Sequence, residues 1–476
     1  MANPFSLIIA GVDSGANLLD LPAPSATTTP YVELGSLSLT LSADGSPGEM
    51  NFTVIEPKTP SGTLPWWRSG AVYDNARVQF FDSRYSATTP IFLGYISNIQ
   101  GQLLENGVGT RASVQVTGAS GWIQQTIVRN GKTGIRATSY VDSFTQGGSA
   151  STDRDHINAL LSRVHTQVND ATTREILNTA VISGSTRAIF SGTARTIGKQ
   201  TFKATTLESA LSQIAELAGG IADVQYRFWI DNDGRLNYGP KEVAPTYATA
   251  PAEIVTDPAS VQTGSTTTPT RLLARDLSVN LDHDVIVKGI FVQADSAYAR
   301  YDSNQTYPTA PTNDPYFRTY TGTYSRNGAG QAARNGPLPH EIFSAPKVAN
   351  KSDRGATIGS LARATMVSRG KPRRTVSFTV AGGDLSQTAS PDWEYGYSQG
   401  YPAAAATPYT LVKAWLPGQY VKINAPSLDL SNAVLYIPTV TMRFAEGGQT
   451  YQVQYDIEAD FRRQYLKGLG VLVGGE

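Results

Sequence analysis

The sequence contains no cysteine, which excludes a disulfide scaffold and any zinc site built on thiolates while leaving the redox compartment open. Charge is scarce. Only 16% of the residues are Asp, Glu, Lys or Arg, against roughly 25% in a typical soluble domain. The basic and acidic residues balance at 39 each, so the chain lacks the basic excess of a dedicated nucleic-acid binder. A neutral passage through which DNA moves without sticking remains compatible with that balance. No apolar run approaches the ~20 residues needed to span a bilayer. Met1 to Ala10 lacks the charged start and long apolar core of a signal peptide, so a chain made and kept soluble in a cytoplasm is expected.

Histidine is also rare, with His156, His165, His283 and His340 the whole complement. His156 and His165 lie nine residues apart on one predicted helix, on different faces, and match no metal-binding spacing; solvated or capping roles are expected. Asp282-His283-Asp284 falls at the start of a predicted strand, where polar residues commonly mark a turn. Asp231-Asn-Asp-Gly-Arg235 resembles a calcium loop only briefly, because Arg235 and Leu236 stand where an oxygen ligand and a glycine are required. The sequence has no Gly-x-Ser-x-Gly elbow, no phosphate-binding Gly-Lys-Ser/Thr and no His-Glu-x-x-His. A glycosidase pair of carboxylates needs closeness only in space and would leave no such motif.

What the chain has instead is Ser, Thr, Asn, Gln, Gly and Tyr on a low-charge surface, a composition suited to proteins that cover themselves with neighbours. Its 476 residues suggest two to four domains. Strand signals dominate the first 120 residues. Val32, Leu34, Leu37, Leu39 and Leu41 alternate with polar positions, as do Met50, Phe52 and Val54, and alternation at period two lines one face of a sheet. Further runs follow at 77–82, 91–99 and 111–117, separated by Gly, Pro, Asn and Ser.

The middle of the chain turns helical. Asp153 to Val168 spaces Ile157, Leu160, Leu161, Val164 and Val168 for one face, with acidic residues in the first turn. Thr205 to Ala218 carries the stripe Leu207, Leu211, Ile214 and Leu217, a capping box from Thr205 to Glu208, and Gly219-Gly220 as its stop. Val224 to Tyr238 reads as a hairpin around Asp-Gly. Strands are expected again over 276–293, a long loop or arm over 303–350, a helix over 355–367, and strands from 375 to 461.

A weak internal repeat stands out. Ala76 to Phe80, Phe92 to Ile99 and Ala112 to Thr117 are echoed by Gln419 to Ile423, Leu435 to Met442 and Tyr451 to Asp456. Val78 to Ile99 and Val421 to Met442 match in spacing. Two features suit contacts with other molecules: Trp66-Trp67-Arg68, an aromatic pair with an arginine that would serve either as an interface anchor or as core packing, and Arg373-Arg374, the end of a basic connector that would meet an acidic partner or solvent.

The order of these elements resembles the baseplate hub and tail-tip hub family of tailed phages. The likeness is carried by Phe92-Leu-Gly-Tyr-Ile with Val114-Gln-Val-Thr-Gly-Ala-Ser-Gly-Trp122, by the helix Leu207 to Gly220 leading into the Asp-Gly hairpin and Leu236-Asn-Tyr-Gly239, and by Leu416-Pro-Gly-Gln-Tyr-Val-Lys-Ile423 with Ile437-Pro-Thr-Val440. Residues 130–200 and 300–350 have no evident equivalent there, and no lysozyme, peptidase or fibre segment is visible.

The resemblance implies a mainly β chain with α+β insertions: a first antiparallel β-barrel at 1–127, a helix-containing middle domain at 128–265, a second barrel from 266–300 with 370–476, and an arm with a helix at 301–369. It further implies a homotrimer closing a tail tube in the virion. The partners implied are distal tail or tube proteins, a tape-measure protein and tip fibre or receptor-binding proteins, with DNA passing through a channel. No catalysis, cofactor or metal is expected. A polysaccharide-binding or depolymerising protein is the alternative.

Overall fold

The computed structural model describes residues 5–10, 16–17, 30–43, 47–56, 65, 67, 76–82, 89–105, 107, 109–128, 143–167, 188–203, 205–222, 226–231, 234–240, 252–256, 270–282, 289–294, 317–321, 325–326, 329–330, 340–345, 373–384, 417–428, 430–447 and 450–460. The chain is mainly β with few helices, and its dominant element is one 14-stranded, largely antiparallel sheet. The period-two patterns build it. In the strand Thr110–Gly118, Ala112, Val114 and Val116 are buried while Arg111, Ser113 and Gln115 are exposed, the alternation a half-covered sheet imposes.

The sheet consists of two runs of seven strands joined edge to edge. Within each run, five strands repeat one plan. In the first half these are, in chain order, Tyr31–Ser42, Glu49–Glu56, Arg77–Asp82, Phe92–Leu103 and Thr110–Gly118. In the second they are Arg275–Asp282, Arg373–Asp384, Tyr420–Ala425, Leu430–Gly447 and Thr450–Asp460. Both halves place them in the spatial order first, second, fifth, fourth, third, and every neighbouring pair among them is antiparallel.

The register agrees as well as the order. Leu39 faces Met50 and Met50 faces Val116, as Val279 faces Val376 and Val376 faces Ala459. Arg77 pairs with Tyr95 as Tyr420 pairs with Tyr436. Irregularities fall at equivalent places: in the first strand opposite Asn51–Thr53 and Ser377–Thr379, and in the fourth between Ile96 and Asn98 and between Tyr436 and Thr439. Pro438 sits in the latter, where the ladder is interrupted and a missing N–H costs nothing. The backbone bond from Ile96 N–H to Ala76 (2.9 Å) is repeated by Ile437 N–H to Gln419 (3.0 Å).

The register corrects the sequence alignment of the repeat in one respect. Asn98 opposite Gln115 corresponds to Thr439 opposite Glu458, so the equivalent of Ile99 is Val440 and not Met442. The second copy is two residues shorter between its third and fourth strands, and the matched spacing conceals this. The copies also differ at the next strand outward: Phe5–Ala10 joins Arg77–Asp82 antiparallel, whereas Ala252–Val255 joins Tyr420–Ala425 parallel.

A second hydrophobic cluster lies on the opposite face of strand Phe92–Leu103. Leu93 and Tyr95 of that strand, Trp122 and Ile123 of helix Ser120–Gln125, Ile157 and Leu160 of helix Asp153–Gln167, and Leu211 and Ile214 of helix Leu207–Ala222 are among its buried members. The last helix departs from expectation at both ends. Its cap is Thr206, whose hydroxyl accepts the Ser209 N–H at 3.2 Å, and not Thr205, which pairs in a short bridge with Val128. Glu208 instead accepts a hydrogen bond from Gln124 at 3.1 Å. The helix also continues through Gly219 and Gly220 to Ala222, because burial of Leu211, Ile214 and Ala218 outweighs a cost of about 1 kcal/mol per glycine.

Within the segment expected to be a loop or arm, the chain forms strands at Phe317–Thr321 and His340–Ala345, which flank Gly289–Ala294. Each carries apolar residues of strand-forming type, Phe317 and Tyr320 in one and Ile342 and Phe343 in the other, which the surrounding Thr, Pro and Asn conceal. The helix expected over 355–367 lies outside the described residues, as does His283.

Candidate assembly interface

The two halves meet where the long fourth strand of the second half outruns its third. Residues 439–443 pair antiparallel with 38–42 of the first half, from Thr439 opposite Ser42 to Arg443 opposite Ser38. Val440, Met442, Leu39 and Leu41 are all buried here, and the Thr40 and Thr441 hydroxyls lie 3.3 Å apart. The strand then carries Phe444 into the first half. Its ring stands edge-on to Phe5 and Phe80, with centroids 5.0 and 6.0 Å away, while Phe5 and Phe80 stack at 5.6 Å. One hydrophobic core therefore spans both halves.

The equivalent edge of the first half is open among the described residues. Strand Phe92–Leu103 pairs with the third strand only as far as Tyr95, and Ile96 adds one bond. From Asn98 to Leu103 that edge has no strand partner among the described residues. Side chains there are exposed except Ile99, and Leu103, at 70%, is the most exposed large apolar residue described. The outer edge of strand Arg275–Asp282 likewise has no strand partner among the described residues, and its Leu277 and Val279 are only partly buried against the core.

Of the interface residues named from sequence, Trp67 packs against this open strand. Its ring lies directly over Gly101, in space that any side chain at that position would claim, and it rests against the main core. Trp66 and Arg68 lie outside the described residues. Arg373 and Arg374 open a strand in register with Asp282 and Leu281; their side chains are not among those described. Sequence reasoning missed the open edge itself, since Gln100-Gly-Gln102 looks like a loop.

The polar cluster of the helical region is structural. Asp153, fully buried, accepts hydrogen bonds from the backbone N–H groups of Arg154 and Arg195, both at 2.9 Å, and from the Tyr238 hydroxyl at 3.1 Å. Burial, then the Asp153 charge, pushes the Tyr238 phenol far up. Thr152 caps the helix together with Asp155, whose carboxylate accepts from the Thr152 N–H at 2.9 Å and hydroxyl at 2.8 Å. The backbone bond, followed by the hydroxyl, holds Asp155 below the usual carboxylate range. Asp231 accepts from the Arg235 N–H at 2.8 Å and from the Asn237 amide at 2.8 Å, and Gly234 supplies the positive φ of 78°. That carboxylate is committed to a hairpin turn. Among the described residues, no three His, Asp or Glu side chains gather where they could hold a metal.

His156 is not solvated or capping, as its sequence context suggested, but buried, with Nε2 2.6 Å from the Gly198 carbonyl. Desolvation lowers its pKa despite that bond and the nearby Asp155 and Asp153. The unfolded chain therefore takes up this proton near the ordinary imidazole value of about 6.5, while the folded chain takes it up only at lower pH. The contribution of His156 is complete above that value and is lost as pH falls below it. A His156→Gln variant is expected to show a flatter decline of melting temperature between pH 7 and 5 than the parent; parallel curves would contradict this.

No protein-family model matches the sequence, and no curated protein matches it either. Solved structures do. The chain is similar to the tail protein from Neisseria meningitidis MC58 at 10% identity and a TM-score of 0.52, over 96% of this chain and 96% of that one. It is similar to the 43 kDa tail protein of prophage MuSo2 from Shewanella oneidensis at 9% identity and a TM-score of 0.50, over 95% and 97% of the two chains. The prophage tail protein gp18 from Listeria monocytogenes EGD-e matches at 10% identity and a TM-score of 0.46, over 99% and 100%. Along nearly its whole length, the chain has the fold of phage tail proteins.

Proposed function

We propose that this chain is a structural hub of a phage tail tip or baseplate, acting in the virion as a trimeric ring. The observation that carries the reading is the internal repeat: two halves with one strand order and one register, joined by a junction that could be made again at the free ends. Three chains would then present six similar units, three-fold in sequence and close to six-fold in shape. Such a ring reconciles a hexameric tube on one side with a three-fold tip on the other. Each half would close as a barrel wall, with the helical region and the 301–369 segment outside the ring.

The fold shared with two tail proteins supports this setting. In it the partners are distal tail or tube proteins above, tip fibres or receptor-binding proteins below, and a tape-measure protein and DNA within the channel. The work is mechanical: to end the tube, hold the tip and leave a passage. Antibody against the chain should label purified tails at one end only in electron micrographs, and the purified protein should release nothing from peptidoglycan, with or without chelator. Label along the whole tail, or clear lysis, would contradict the reading.

A further inference from the structure

We propose that the open edge of strand Phe92–Leu103 pairs with the open edge of strand Arg275–Asp282 in a second copy of this chain, in a register fixed by the junction inside the chain. The inference rests on the ring reading above and specifies how the ring is sealed. Inside the chain, the fourth strand of the second half takes the first strand of the first half, with Thr439 opposite Ser42. The complementary contact, fourth strand of the first half with first strand of the second, is not made among the described residues.

The repeat register converts one junction into the other. Asn98 stands for Thr439 and Gln102 for Arg443; Ser278 stands for Ser38 and Asp282 for Ser42. Applied to the observed pairs, the rule sets Asn98 opposite Asp282, Gln100 opposite Asn280 and Gln102 opposite Ser278. In the same register Ile99 falls opposite Leu281, Gly101 under its Trp67 ring opposite Val279, and Leu103 opposite Leu277.

The exposure pattern is independent of that register and agrees with it. At the made junction, Val440, Met442, Phe444, Leu39 and Leu41 are all buried. At the unmade one, Ile99, Leu277 and Val279 are only partly covered and Leu103 projects into solvent. Leu103 is the counterpart of Phe444, the residue that enters the neighbouring half. An unpaired strand end with an exposed apolar residue is a template for association. Since the two edges differ, the contact is head to tail and closes only through a ring.

Cysteine cross-linking tests it without background, because the chain has no cysteine of its own. Directly opposed residues of an antiparallel pair have Cα atoms about 4.5–5.5 Å apart, within disulfide range. The full-length chain carrying both Gln100→Cys and Asn280→Cys should form covalent oligomers of up to three chains on oxidation. Neither single variant should cross-link to itself, and a mixture of the two should yield covalent dimers. Leu103→Asp should weaken assembly by on the order of tenfold or more while the melting of the isolated subunit stays unchanged.

Light scattering on the same samples separates the ways to fail. A trimer without the cross-link, or a single variant linking to itself, overturns the edge pairing and leaves the ring standing. A chain that stays monomeric at every concentration overturns the ring, and the edge pairing with it.

Discussion

Phe444→Ala is expected to destabilise the folded chain by about 3–5 kcal/mol, the range for truncating a buried phenylalanine. The ring of Phe444 is 3% exposed and lies against Phe5 and Phe80, so its loss opens a cavity where the two halves share their core, and it also removes edge-on aromatic contacts worth roughly 0.5–1.5 kcal/mol. The equivalent residue of the other half gives the control. Leu103 is 70% exposed, and Leu103→Ala should change the stability of the isolated subunit by less than about 0.5 kcal/mol. Denaturant titration of both variants measures the contrast. Equal effects would mean that Phe444 does not hold the halves together.

Asp153→Ala should cost about 3 kcal/mol through a different mechanism. The carboxylate is fully buried and ties the start of helix Asp153–Gln167 to Arg195 and to Tyr238 on the hairpin. Removing it strands three donors, the buried Tyr238 hydroxyl and the partly buried Arg154 and Arg195 N–H groups, and a buried donor left unsatisfied costs roughly 1–3 kcal/mol. Tyr238→Phe removes only one of those bonds and should cost clearly less. Hydrogen exchange should show the opening confined to helix Asp153–Gln167 and strand Leu236–Pro240, with strand Thr110–Gly118 still protected. A loss under 1 kcal/mol would show that water replaces the carboxylate at little cost.

Much of the sheet was legible because its strands are half covered. Leu37, Leu39 and Leu41, or Ala112, Val114 and Val116, announce a buried face by alternation alone, and the helical stripe Ile157, Leu160, Leu161 does the same at its own period. Asp231 and Gly234 mark their turn chemically. The repeat was visible in outline, but its true alignment turns on two residues missing between the third and fourth strands of the second copy, a loss that matched spacing elsewhere hides.

Long-range partners were illegible for a simpler reason. His156 is buried by Gly198, 42 residues away, and the Thr205-Thr206 pair offers two caps between which only the Val128 bridge decides. The open edge was hidden by its composition. Gln100, Gly101 and Gln102 look like a loop because their polar and glycine side chains carry no alternating apolar signal.

Three chains, each with two equivalent halves, should make a six-unit ring. Electron cryomicroscopy of the assembled full-length protein, averaged without imposed symmetry, tests it most directly. The expected result is end-on views with six similar peripheral lobes, three-fold true symmetry and a continuous sheet crossing every boundary between lobes. A strict six-fold ring, a two-fold particle, or three separated lobes pairs with no strand density between neighbouring chains would contradict it.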